Sequence, residues 1–187
     1  MPEKILEPWT TVGRTELFQL GRRLRVMGDH VLLPDGREVR DYLRLEMPAY
    51  CVMLAFTPDE RILCERHYKH GVGRVVLTLP AGTLEENEAA LDGARRELLE
   101  ETGYEAQAWR PLFTAVTHAN ARGPIGTACL ATGCRKIADP ATDDLEEIRI
   151  ELLTVADLRH ALDHGEMPLM TDRAVILQGL LTLGLLR

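Results

Sequence analysis

Apolar and polar positions change their rhythm along this chain. Over the first 45 residues the apolar positions are spaced out and roughly alternate, through residues 17–27, 31–33 and 39–45. Pro34-Asp35-Gly36 supplies a turn between two extended runs. This opening stretch predicts a small antiparallel sheet. It is too short to close a core of its own, so it must lean on the rest of the chain or on a second subunit. From Ala49 the pattern becomes continuous. Residues 50–56 form an unbroken apolar run, the mark of a strand buried on both faces. Thr57-Pro58-Asp59-Glu60 is a turn, and strands follow at 61–64 and 75–79. A helix is expected from residue 88 to about residue 102, stopped by Gly103. Further strands are expected at 112–116, 126–131 and 148–153, and helices at 155–163 and 172–186. Strands and helices mix without a regular strand–helix–strand alternation. That predicts an α/β fold with a mixed sheet in an α/β/α sandwich rather than a doubly wound parallel sheet.

Composition narrows the picture. The chain has 187 residues, 45% hydrophobic and 27% charged, with 22 Lys plus Arg against 29 Asp plus Glu. This is a globular balance with material for a core, and it excludes disorder as the main state. The net charge of −7 argues against nucleic acid as a partner. Cys51, Cys64, Cys129 and Cys134 show no CxxC pair and no zinc spacing, so buried thiols in a reducing cytoplasm are expected. The N-terminal MPEKILEPWT lacks the apolar core of a signal peptide. The apolar stretch 174–186 is too short to span a bilayer and is broken by Gln178 and Thr182.

Candidate chemistry concentrates in residues 82–104, GTLEENEAALDGARRELLEETGY. On a helical wheel at ~100° per residue, Leu91, Ala94 and Leu98 share one stripe. Glu97, Glu100 and Glu101 share a neighbouring face at i, i+3 and i, i+4 spacing. Carboxylates so crowded repel one another, and a hard divalent cation such as Mg²⁺ or Mn²⁺ offsets that repulsion. Gly93 lies one turn before Glu97, where a missing side chain can leave a bare patch for phosphate or metal or be merely tolerated. Arg96, four residues before Glu100, can orient that carboxylate. Charge alone would leave a solvated helix face as the simpler account.

The spacing changes that balance. Gly82, five residues, Glu88, seven residues, then Arg96-Glu97-Leu98-Leu99-Glu100-Glu101-Thr102-Gly103-Tyr104 resembles the Nudix box, with Tyr104 aromatic where an aliphatic is commoner. A chance match at one starting position is below about 10⁻⁹. The resemblance implies the Nudix fold and a loop–helix–loop that holds divalent cations against a pyrophosphate. Carried over, it makes Glu97 and Glu101 principal metal ligands, Glu100 a third, and the Ala81 carbonyl a further ligand. Gly82, Glu88, Arg96 and Gly103 become structural members of the motif, with Glu88 and Arg96 holding loop to helix.

Upstream, Glu65-Arg66-His67-Tyr68-Lys69-His70, Gly73-Arg74 and Leu79-Pro80-Ala81-Gly82 resemble the ADP-ribose and nucleotide-sugar pyrophosphatase branch. Lys69 replaces an arginine there and meets a phosphate as a point charge, although a plain surface lysine fits as well. The resemblance implies a homodimer, with residues 1–45 as an exchanged β-arm and 46–187 as the hydrolase domain. Lys69, Arg74, His118 and Arg122 are the candidate substrate contacts. The branch's usual SPG element is replaced by residues 117–124, which leaves nucleotide sugars other than ADP-ribose open, GDP-mannose among them. In the acidic stretch 143–147, Glu146 is the candidate catalytic base, with Asp144 and Glu147 in competition. The implied activity is Mg²⁺-dependent cleavage of a nucleoside diphosphate sugar, giving AMP and ribose 5-phosphate from ADP-ribose. The alternative is a non-catalytic nucleotide sensor on the same fold.

Overall fold

Extended and helical segments alternate irregularly in the computed structural model, which describes residues 6–141 and 147–186. In chain order the elements are β1 (Thr10–Leu20), β2 (Leu24–Leu32), β3 (Glu38–Glu46), β4 (Tyr50–Phe56), β5 (Ile62–Lys69), β6 (Arg74–Thr78), β7 (Ala81–Thr83), α1 (Ala90–Thr102), β8 (Tyr104–Glu105), β9 (Ala108–His118), β10 (Arg122–Thr132), β11 (Arg135–Lys136), β12 (Arg149–Leu153), α2 (Val155–Asp163) and α3 (Met170–Thr182). They divide between two compact units. One comprises Met1–Pro48 with Val116–Ile125, and the other Ala49–Ala115 with Gly126–Arg187.

The first unit holds an antiparallel meander in the order β1-β2-β3. The alternating run 17–27 proves to be two strands. They are joined by a hairpin in which Gly21 adopts a φ of 52° and the Arg23 N–H bonds the Leu20 carbonyl at 3.1 Å. Gly36, at φ 86°, closes the turn predicted at Pro34-Asp35-Gly36. Arg14 forks onto the buried Asp29 at 2.6 and 2.9 Å across β1 and β2. β3 is tied to the stretch 116–125 by the Leu45 N–H on the Ala121 carbonyl at 2.8 Å.

The second unit is built on a mixed sheet ordered β12-β5-β4-β10-β9, with β6 on β5 and β7 on β4. β4 and β10 run parallel, and the other ladders given for β4 and β5 are antiparallel. The continuous apolar run explains why β4 sits at the centre. Its alternate residues Val52, Leu54 and Phe56 join a core with Leu158 and Ala161 of α2 and Val175, Ile176 and Leu180 of α3. Cys51, Met53 and Ala55 join a second core with Ala94 and Leu98 of α1. Helices therefore cover both faces, and the α/β/α sandwich with a mixed sheet is realised. Gly179 lets α3 approach closely, because a Cβ there would overlap Leu54 Cδ2.

The helices depart from expectation mainly at their ends. α2 begins where the sequence predicts, at a capping box. Thr154 Oγ1 accepts the Asp157 N–H at 3.0 Å, and Asp157 Oδ2 accepts the Thr154 N–H at 3.0 Å. α3 starts two residues earlier than predicted and stops at Thr182 instead of continuing to 186, because Gly184 turns left-handed at φ 68°. The short strands β7, β8 and β11 carry too few residues to show a periodicity. All four cysteines are buried free thiols. Among the described residues, no helix is long and apolar enough to cross a membrane.

Candidate active site

Burial of one stripe fixes where the carboxylates of α1 point. Ala94 and Leu98 are fully buried and Leu91 packs at the edge of the same cluster. Sealing a leucine in this way stabilises by about 2–3 kcal/mol. With Leu98 inward, Glu97 and Glu101 lie beside the core and Glu100 faces outward, about half exposed at 49%. At the far end Gly103 caps the helix at φ 74°, its N–H on the Leu99 carbonyl at 2.8 Å. A Cβ at that glycine would strike the Ala138 carbonyl, so the position admits no larger residue without a shift of backbone.

Arg96 ties the loop before α1 to the helix. Its Nε donates to Glu88 Oε1 at 2.9 Å, and its Nη2 to Glu88 Oε2 at 2.9 Å and to the Thr83 carbonyl at 3.2 Å. Its Nη1 reaches Glu97 at 2.9 Å and Glu100 at 3.0 Å. The two-pronged bond from Arg96, with the Glu85 N–H added, holds the Glu88 carboxyl down to about 2. Gly82 stands directly against Glu97, where a Cβ would overlap the carboxylate. Gly93 leaves no bare patch for phosphate or metal. Its open side is filled by Leu84, and a Cβ would also lie 2.8 Å from Glu88 Oε2, so this glycine seats the loop against the helix.

Behind this shell burial outweighs the nearby cations. Burial pushes the Glu101 carboxyl up to about 9, with Glu65 and Glu97 adding repulsion and the Ala81 N–H and Lys69 opposing. The Ala81 N–H donates to Glu101 Oε2 at 3.2 Å. Glu97 is also raised. Burial outweighs its bond to Arg96, and Glu100 and Glu88 add to the rise. The positive charge of Lys69, at the end of β5, acts on Glu101 and on Asp172 of α3 alike.

Two buried acids, Glu65 and Asp172, escaped the sequence reading. Each sits at the border of an apolar stretch, after Ile62-Leu63-Cys64 and before the apolar part of α3, with an arginine directly following, so the pattern alone reads as a surface edge.

The other expected residues fall elsewhere. Arg74, which pairs with Lys69 across β5 and β6, gives its Nη2 to the Gly165 carbonyl at 2.7 Å. His118 and Arg122 belong to the first unit. There His118 Nδ1 accepts the Ala121 N–H at 3.2 Å, and Arg122 takes a φ of 66°. Glu146 and Asp144 lie outside the described residues, and Glu147 is exposed.

Among the described residues, no three acidic, histidine or cysteine side chains converge into a ready-made cation cage. What α1 offers is a partial shell. It consists of hard oxygen donors on one helix face, with Glu97 set directly against Gly82 and Glu101 fixed by a backbone N–H. This suits a cation that retains waters and completes its coordination from substrate oxygens, which is the habit of Mg²⁺. The donor set therefore fits a divalent metal.

The NUDIX domain model matches residues 46–172. Among curated proteins the chain is 29% identical over 134 residues to a methanol dehydrogenase activator of Bacillus methanolicus, covering 72% of each. It is 30% identical over 97 residues to an ADP-ribose pyrophosphatase of Bacillus subtilis (strain 168), covering 52% of this chain and 51% of that protein. The crystal structure of an ADP compounds hydrolase aligns with a TM-score of 0.82 at 17% identity, over 97% of this chain and 99% of the other, which is a likeness of fold.

Proposed function

The chain belongs to the Nudix hydrolase family, and on that premise we propose that it is a Mg²⁺-dependent pyrophosphatase for a nucleoside diphosphate sugar, ADP-ribose foremost. The observation that carries this is geometric: Glu97 and Glu101 share one face of α1, Glu97 against Gly82 and Glu101 on the Ala81 N–H, in a setting whose burial raises both carboxyls. Such an arrangement is costly in an empty fold and favourable around a divalent ion.

Glu97 and Glu101, with Glu100 and the Ala81 carbonyl, would hold the metal. When bound, Mg²⁺ (or Mn²⁺ in its place) neutralises charge on the pyrophosphate oxygens and acidifies a water for in-line attack. The chain's residues do the positioning. Arg96 fixes Glu97 and Glu100 relative to the loop, the Ala81 N–H orients Glu101, and Gly82 keeps the loop backbone against Glu97. Lys69 brings a positive charge beside the acids for a substrate phosphate. Arg74, at the start of β6, is proposed as a further substrate contact. Glu146, ahead of Asp144 and Glu147, is proposed to take the proton of the attacking water. ADP-ribose would then give AMP and ribose 5-phosphate.

A panel of nucleotide sugars, with ADP-ribose and GDP-mannose included, incubated with Mg²⁺ or Mn²⁺ and read by product identity, tests the assignment. Turnover without metal overturns it. Tight binding without turnover of any member favours the second reading, a nucleotide-responsive regulator, to which the relative named as a methanol dehydrogenase activator lends support. We further propose a cytoplasmic homodimer. The free thiols suit a reducing compartment. The exposed Val12, Leu17, Phe18 and Leu20 of β1 offer an apolar surface that a second copy can cover. Sedimentation of the wild-type protein at monomer mass would exclude the dimer.

A further inference from the structure

Leu79-Pro80 joins β6 to β7 and leads to Ala81, which pairs with Val52 of β4 and lies beside Glu101; bonds from several parts of the second unit hold this stretch and the strand ends that flank it. The Leu77 N–H bonds the Glu166 carbonyl at 2.9 Å, in the connection between α2 and α3. The Pro80 carbonyl accepts the Met53 N–H of β4 at 2.9 Å. The Ala81 N–H bonds Glu101 of α1 at 3.2 Å. Between them, the Leu79 N–H donates to a side chain, Asp172 Oδ2 of α3, at 3.3 Å.

Leu79 is 1% exposed and Asp172 2%. Water therefore cannot replace the carboxylate as acceptor, and a buried N–H without one is strongly disfavoured. Pro80 fixes φ and donates no hydrogen bond of its own, so the bonds on either side set the path of the chain into Ala81. The positive charge of Lys69 acts on Asp172 and on Glu101 alike.

We propose that Asp172 is a positioning residue for the metal site: by accepting the Leu79 N–H it sets the Leu79-Pro80-Ala81 backbone so that Ala81 presents its N–H to Glu101 and its carbonyl to a cation. A helix on the opposite face of the sheet from α1 thereby supports the site. The cation part of this inference rests on the hydrolase reading; the backbone part does not.

The two parts are measured separately. Asp172→Asn keeps an oxygen for the Leu79 N–H, whereas Asp172→Ala removes it. Should the alanine variant fail to fold, Asp172→Ser removes it in a side chain too short to reach. Amide hydrogen exchange in the metal-free protein reads the backbone. The Leu79 and Ala81 amides should exchange at least tenfold faster in Asp172→Ala or Asp172→Ser than in wild type, and stay within about threefold in Asp172→Asn. Mn²⁺ titration followed by the electron paramagnetic resonance of the free ion should show affinity weakened by about tenfold or more in the first pair and kept in Asp172→Asn, as for a partner one step behind a ligand. A folded alanine or serine variant with wild-type exchange at Ala81 overturns the proposal, as does an asparagine variant that loses as much as alanine. A wild-type protein that takes up no Mn²⁺ defeats the hydrolase reading instead, and the exchange data still decide the role of Asp172.

Discussion

Glu151 of β12 and Glu166 converge on Arg66 of β5, while Glu97 and Glu101 of α1 gather near Glu65, two faces of one unit with opposite electrostatics. At the first, Arg66 forks onto Glu151 at 2.7 and 3.0 Å and reaches Glu166 at 2.9 Å, and Arg149 adds a bond to Glu151 at 2.6 Å. Arg66 outweighs burial, and the Glu151 carboxyl is held below its ordinary value. At the second, Arg96 is shared among three acids, Glu101 lies beyond its bonds, and burial wins. Carboxylates that serve the fold are matched by guanidinium groups. Those left in excess are suited to a charge that arrives from outside. The most direct way to break this contrast is Glu101→Gln. It should lower Mg²⁺-dependent turnover by about 10³-fold, equivalent to about 4 kcal/mol of barrier, with the melting temperature unchanged or raised. Near-wild-type turnover would erase the distinction between the two clusters.

Arg96→Lys sharpens the contrast from within the second cluster. Lysine keeps one charge but cannot match the fork on Glu88 while also reaching Glu97, Glu100 and the Thr83 carbonyl. Turnover should fall by about 10–100-fold, with the half-saturating Mg²⁺ concentration raised. Arg66→Met probes the other face. It leaves Glu151 with Arg149 alone and takes the guanidinium from Glu166, and should cost about 2 kcal/mol, lowering the melting temperature by about 4–8 °C, with turnover held within about threefold. A collapse of activity there would mean that the Arg66 cluster serves the chemistry too.

Much of this architecture was legible in the residues. β4 announced itself because a strand buried on both faces needs apolar residues at every position. The motif spacing placed Glu88, Arg96, Glu97 and Glu101 together because a loop-to-helix clamp and a helix face are local arrangements. Gly93 was misjudged because its neighbour, Leu84, arrives from a loop whose path periodicity does not describe. Glu65 and Asp172 were hidden for a related reason: their meaning lies in what faces them in three dimensions, the like charge of Glu101 for Glu65 and the Leu79 N–H for Asp172, and one-dimensional patterns are blind to such neighbours. β1 and β2 were merged because a hairpin with an uneven register preserves a rough alternation straight through its turn.

The smallest effect should come from Glu151→Gln under acid. In the folded protein the Glu151 carboxyl sits below its ordinary 4.5, chiefly through its bond from Arg66, with burial opposing. A carboxyl with a lower value folded than unfolded binds more protons when the chain unfolds. Its stabilisation is therefore complete above about pH 4.5 and fades as pH falls through the folded value. Glutamine has nothing to titrate. Urea unfolding of the second unit, followed from pH 6 to pH 3, should show a shallower loss of stability in Glu151→Gln than in wild type, the two curves differing by about 1 kcal/mol or less at neutral pH and converging under acid. Parallel curves across that range would show that Arg66 and Glu151 contribute no net ionic stabilisation, and the structural half of the contrast would then rest on Glu166 alone.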